Sequence, residues 1–302
     1  MRRKFKRYLP VYLMMMPGLL YLLINNYLPM GGLVAAFKQV NFTTGIWNSP
    51  WVGFKNFEFL FKTDEAMIIT RNTILYNLAF IVIGIVFGIF LAILISEIIN
   101  ERARKLYQSA VLVPFLMSIV IVSYIVYAFF SAENGMINNT ILRLLGKDPV
   151  NWYSEPKYWP FILIFVHTWK GIGYGCLIYL STIIGIDKSL YEAASLDGAG
   201  KWKQIRHVTL PALKGTVIVL MLLNIGKIFY ADFGLFYQVP MDAGQLYNAT
   251  NVIDTYVYRS LLKLGNTGMA AAAGFYQSIV GFVLVMASNL IVRKTNPENA
   301  LF

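Results

Sequence analysis

Six stretches of this chain stay apolar for about 20 residues each, the length a helix needs to cross a bilayer core about 30 Å thick. They run approximately Val11–Phe37, Thr73–Ile95, Ser109–Phe130, Phe161–Ile184, Thr216–Tyr237 and Met269–Val292. The sequence therefore predicts an all-α integral membrane protein with six transmembrane helices. Composition agrees. Of the 302 residues 57% are hydrophobic and 14% charged, against a charged share of about 25% in soluble domains. The first stretch follows MRRKFKR in the manner of a secretory leader. No A-x-A-like cleavage site follows it, and Pro17, Asn25 and Asn26 interrupt it, so a retained first helix is expected.

The net charge of +11 would point to nucleic acid only if it clustered on a solvated face. It lies in short loops instead, so it reads as topology and no nucleic-acid partner is expected. Basic loops stay cytoplasmic. With the N-terminus inside, the inside segments carry 15 Lys and Arg and the longer outside loops 9, while Lys170 and Lys227 fall within spans. Both termini and the loop 187–212 are accordingly expected in the cytoplasm. The outside loops 38–72 and 131–160 are rich in Trp, Tyr and Phe, which suits folded caps at the headgroup layer. No internal repeat stands out, and one membrane domain, 1–302, is expected.

The loop 187–212 contains SLYEAASLDGAGKWKQIRHVTLP. Ser189 with Glu192 three residues later makes a capping box and predicts a helix start. Gly198 predicts its end, because glycine tolerates the left-handed C-cap conformation. A second short helix is expected over Lys201–Val208, with Trp202, Ile205 and Thr209 on one side and Lys203, Arg206 and the solvated His207 mostly on another. Pro211 should close it. A helix lying on lipid would need bulky apolar residues. Ala193 to Gly200 holds six Ala, Ser or Gly in eight positions, and small side chains let another protein backbone approach closely. The loop reads as a docking elbow.

Catalytic and metal chemistry find little support. A single cysteine, Cys176, excludes an internal disulfide, and the two histidines, His167 and His207, make a zinc site a poor reading. No catalytic set can be assembled for an intramembrane enzyme. No phosphate-binding loop is present, since the Gly-Lys pairs at 146, 200 and 226 lack both the preceding glycine and a following Ser or Thr. Any ATP chemistry belongs to another chain. The competing reading is a secondary transporter of a polar solute, which usually shows two repeated halves.

The elbow resembles the EAA motif of permease subunits of binding-protein-dependent ABC importers, in which E-A-A, a D-G-A turn and a terminal L-P recur with this spacing. The longer sections WKGIGYGCLIYLSTIIGIDKSLYEAASLDGA and VIDTYVYRSLLKLGNTGMAAAAGFYQSIVGFVLVMASN are similar to the polysaccharide and oligosaccharide branch. Ile205 stands where phenylalanine is common, and Asp187 where proline is common. The resemblance implies a type I importer permease of the MetI-like fold in a bacterial cell membrane, surrounded by lipid. It implies that Glu192, Ala193, Ala194, Asp197 and Gly198 form a coupling helix seated on an ATPase, and that Ile205, Leu210 and Pro211 anchor the elbow to the next span. The implied partners are a second homologous permease, two ATP-binding subunits holding ATP and Mg, an extracellular or periplasmic solute-binding protein, and an oligosaccharide. No cofactor and no metal are expected in this chain.

Charged side chains within spans cost roughly 2.5–3.5 kcal/mol on insertion scales and usually face a cavity or a partner. Lys170, beside Trp169 in the fourth span, and Lys227 in the fifth are candidates for the substrate pathway. Asn224, Lys227 and Ala231 would share one helical face, with Asp232 beyond and Tyr230 and Gln238 in the same region. Aromatic rings with polar handles suit hydroxyl-rich ligands. His167 is expected to pack at the outer end of its helix.

Overall fold

A computed structural model describes residues 2–295 and 297–300; the side chains of the basic run before Tyr8 lie outside the described residues. Among these, the only β pairing is a bridge between Lys38 and Trp51. Helix α1 (Arg2–Leu22) continues through a π-helical turn, Leu23–Tyr27, into tighter turns that end at Phe37. The longer helices that follow are α2 (Asp64–Ser96), α3 (Glu101–Leu116), α4 (Ile119–Phe130) and α5 (Trp159–Ile184). After them come α6 (Lys188–Leu196), α7 (Lys201–Ile225), α8 (Phe233–Gln238), α9 (Ile253–Leu262) and α10 (Thr267–Thr295). Among the described residues five helices are long and apolar enough to cross a membrane, or six if α3 and α4 count as one broken span.

Two of the expected spans differ from the structure. The third is bent by 93° between α3 and α4. Pro114 removes a helical N–H near the end of α3, and Ser118 caps α4, its hydroxyl accepting from the Ile121 N–H at 3.3 Å. Hydropathy is blind to such a corner because the residues next to it are apolar on both sides, 109–116 before it and 119–130 after it, although α3 as a whole begins with a charged run. The fifth span ends at Ile225, not Tyr237. At the next residue α10 comes so close that a Cβ on Gly226 would lie 2.6 Å from the Val285 side chain. The chain then unwinds. The side-chain amide of Asn77 in α2 donates to the freed carbonyls of Ile228 (3.0 Å) and Tyr230 (3.2 Å), and the Asp254 carboxylate accepts from the Ala231 N–H at 2.7 Å. Non-helical backbone inside an apolar region needs such partners.

The described residues pack as two compact units. One comprises the residues up to Ala66 with Tyr256–Gln277. In it the Phe37 ring stacks on Trp51 and meets Phe54, Phe57 and Phe275, with centroids 5.3–5.6 Å apart. The Asn56 amide donates to the carbonyls of Ala36 and Lys38. The loop after Phe37 is thus folded.

The other unit comprises Met67–Thr255 with the residues from Ser278 on. Its main core gathers Tyr76, Phe80, Val122, Trp159, Leu163 and Phe236, and a second cluster gathers Ala92, Cys176, Leu180 and Leu213. Helix α3 lies directly on α5 at Gly173, where a Cβ would fall 2.0 Å from the Val111 carbonyl oxygen. The loop 131–160 is held by Asn138, which donates to the carbonyls of Ala132 and Val150 and accepts from the Trp152 indole N–H at 2.8 Å.

Candidate functional site

Two features of the second unit are candidates for function: the elbow and a cavity among the helices. The elbow starts with α6. Its N-cap is Asp187, whose carboxylate accepts from the Ser189 N–H at 2.9 Å, so the expected Ser189–Glu192 capping box is not what starts the helix. An aspartate at the N-cap is at least as good an acceptor as serine. That hydrogen bond from the Ser189 backbone, and then one from its side chain, holds the Asp187 carboxyl below its ordinary range. The other end follows expectation. Gly198 has φ +73°, its N–H donates to Ser195, and the Ala199 N–H donates to Ala194, closing a Schellman turn.

Helix α6 buries no residue. Glu192, Ala193, Asp197 and Gly198 are exposed and Ala194 is half-buried, while Leu196 is 90% exposed at the tip. Small and acidic side chains form the free face together with two exposed leucines, Leu190 and Leu196. Two expectations for the second half are overturned. Trp202 is 76% exposed while Thr209 is buried, so they do not share a side. Pro211 closes nothing, because α7 runs unbroken from Lys201 to Ile225 with a π-helical turn at Ile205–Thr209. Pro211 stands in the first turn of the α-helical stretch that follows, where a missing N–H is tolerated. Ile205 is half-buried, and Leu210 and Pro211 are exposed. His207 is exposed as expected.

The cavity, about 410 Å³, lies between α2, α5 and the end of α7. Asn224, Lys227, Tyr230 and Asp232 line it, joined by Asn77, Phe80, His167 and Thr168. Its walls are largely apolar with these polar groups set among them. The Asp232 carboxylate caps α8 by accepting from the Leu235 N–H at 3.1 Å, and the Tyr230 hydroxyl lies 3.0 Å from that of Ser278. Since α7 stops at Ile225, Asn224, Lys227 and Ala231 do not share a helical face; the unwound turn brings Lys227 to the cavity. Three expected pathway residues are elsewhere. The Lys170 ammonium donates to the Phe115 carbonyl at 3.1 Å, Trp169 packs against the main core, and Gln238 is half-buried at the end of α8. His167, expected at the outer end of its helix, lies against the Phe80 ring at 3.7 Å and faces the cavity. Asn77 was missed; a lone amide in an apolar span is the signal that would have found it.

An all-helical chain with this set of apolar spans, a polar cavity among them and an exposed small-residue elbow is a multi-pass membrane permease. The sequence model described as "Binding-protein-dependent transport system inner membrane component" matches residues 84–296. The chain belongs to this family, and it is a transport permease of the ABC class. Similar curated proteins include Protein LplB of Bacillus subtilis (strain 168), 32% identical and aligned over 95% of this chain and 90% of that one. The polygalacturonan/rhamnogalacturonan transport system permease protein YteP of the same organism is 34% identical over 95% and 89%. The trehalose/maltose permease MalF of Thermococcus litoralis is 27% identical over 94% and 92%. Among solved structures, a bacterial ABC transporter involved in import of the acidic polysaccharide alginate superposes with TM-score 0.89 at 33% identity, covering 97% of this chain and 98% of that one. A second structure of a bacterial alginate ABC transporter, in complex with a periplasmic protein carrying an alginate pentasaccharide, gives 0.88 at 32%, with 97% of each chain covered.

Proposed function

We propose that this chain passes oligosaccharides through a bacterial cytoplasmic membrane by alternating access, driven by ATP hydrolysis in a separate subunit. The observation that carries the reading is the unbroken helix Lys201–Ile225, which has the elbow at one end and the cavity-lining Asn224 at the other. A push on the elbow is delivered along one rod to the cavity. Both termini and the elbow face the cytoplasm, as the 15 to 9 division of Lys and Arg supports, and the whole chain works as one membrane domain. Glu192, Ala193, Ala194, Asp197 and Gly198 seat on an ATPase that holds ATP and Mg, while Ile205, Leu210 and Pro211 join the elbow to its span. One cavity wall per chain calls for a second homologous permease, and a binding protein on the outer face delivers the solute.

The relatives' names and the solved alginate importers support a saccharide. So does the cavity, where Tyr230 and Phe80 offer flat faces and Asn224, Lys227 and Asp232 offer hydrogen-bonding groups. The test is reconstitution in proteoliposomes with the partner permease, the ATPase and the binding protein. Uptake is expected only with ATP and all partners present. Uptake by this chain alone down an ion gradient would establish the secondary-transporter reading instead. Within the same assay, Lys227→Ala is expected to lower uptake several-fold and leave assembly intact. Unchanged uptake and unchanged basal ATP hydrolysis would remove Lys227 from the pathway.

A further inference from the structure

Helix α6 is amphipathic in sequence yet fully buries none of its residues, with only Tyr191 and Ala194 half-buried, so apolar burial contributes little to holding it. What holds it is polar, and one side chain on α7 makes the central connection. Gln204 is 9% exposed, and its amide donates to the Ser195 hydroxyl at 2.8 Å and to the Ala199 carbonyl at 3.2 Å. Ser195 passes the connection on, because its hydroxyl donates to the Tyr191 carbonyl at 2.8 Å. The Tyr191 hydroxyl in turn lies 2.9 Å from that of Thr209, which is buried on α7. The surface ion pair between Lys201 and Glu97 at 2.7 Å holds the start of α7 to the residue that follows α2 and does not touch α6.

We propose that Gln204 is the positioning residue of the elbow: it clamps α6 to the first turn of α7, so that displacement of α6 turns α7 as one body instead of bending the hinge at Gly198–Gly200. The hinge itself offers little stiffness. Gly198 and Gly200 flank Ala199, and a Cβ added at either glycine would meet nothing within 4 Å. Two glycines in three residues leave the backbone free to rotate. A lever with a soft joint transmits load only if something spans the joint, and the Gln204 amide does, reaching the last turn of α6 through Ser195 and the turn itself through Ala199. From Gln204, α7 runs on as one helix to Asn224 at the cavity, about 30 Å at 1.5 Å per residue.

The proposal rests on the reading of the elbow as the ATPase-coupling element, and its test separates the two. The full complex is reconstituted with Gln204→Met, which keeps length and packing but has no N–H donor, and with Gln204→Arg, which restores donors. Three quantities are measured: ATPase retained on purification, ATP hydrolysed, and solute imported. Gln204→Met is expected to keep the ATPase bound and hydrolysing while solute imported per ATP falls about thirtyfold, the fold-change that two hydrogen bonds of about 1 kcal/mol each convert to at 1.4 kcal/mol per factor of ten. Deuterium exchange should rise at amides 189–200 and stay unchanged at 213–225. Gln204→Arg is expected to recover most of the import ratio, which a merely space-filling role would not predict. Gln204→Met importing per ATP as the unaltered chain does would overturn the clamp. Loss of bound ATPase in that variant would also overturn it, since Gln204 would then belong to the docking face. Failure of the elbow reading itself would show differently, as unchanged uptake when the exposed Glu192 is reversed in charge.

Discussion

Glu192→Arg is expected to reduce ATP-driven uptake to background while the protein remains folded in the membrane. The side chain is exposed on a helix that buries nothing. Surface substitutions of this kind shift stability by about 0.5 kcal/mol or less. The cost falls on docking. Truncating one member of a desolvated charge pair at an interface costs roughly 2–5 kcal/mol, and reversing its sign adds repulsion against the same partner group. Loss of at least about a hundredfold in affinity for the ATPase follows, since every 1.4 kcal/mol is tenfold. The measurement is co-purification of the ATPase with the variant, alongside uptake. Normal uptake by Glu192→Arg would end the coupling role assigned to this face.

The second large effect concerns folding. Gly173→Ala is expected to cost about 3 kcal/mol or more, at the upper end for overpacking. The added Cβ would meet the Val111 carbonyl oxygen at 2.0 Å and its carbon at 2.6 Å. These are backbone atoms and have no rotamer to escape into. The helices α3 and α5 would have to separate, opening the contact along which they run side by side. Gly175→Ala is the control, because its Cβ would meet nothing within 4 Å. A lowered melting temperature in detergent for the first variant and an unchanged one for the second is the expected pair of results. Equal stability of both would show that α3 shifts away from α5 at little cost.

The legible part of this chain was whatever depends on length, sign and side-chain size. A bilayer sets the number of apolar residues per span, so all six stretches were visible. Gly198 announced the end of α6 because few residues accept its φ of +73°. Three-dimensional direction was hidden. The corner at Met117–Ser118 leaves hydropathy unchanged, and only the pairing of Pro114 with a cap-forming Ser118 hints at it. The end of α7 was hidden because the groups that take up its freed backbone, Asn77 on α2 and Asp254 beyond α8, lie far away in sequence. The same holds for the cavity. Lys227 was placed there for the wrong reason, as part of a continuous helix, and Lys170 was assigned to it although its ammonium is used by the Phe115 carbonyl. A charge in a span announces that it has a partner without saying which. At the elbow, Asp187 outcompeted Ser189 as the cap by standing at the right register, a choice that local pattern alone leaves open.

Asn77 deserves a last consequence. Its amide carries two N–H groups, and these are shared among the carbonyls of Thr73, Ile228 and Tyr230. The rim of the cavity is therefore stitched to α2. When the end of α7 shifts, α2 must travel with it, or these carbonyls of the unwound segment lose their donors. Displacements of a few tenths of an ångström only stretch these bonds. Larger ones break them, so α2 and the segment after α7 are expected to move as one piece.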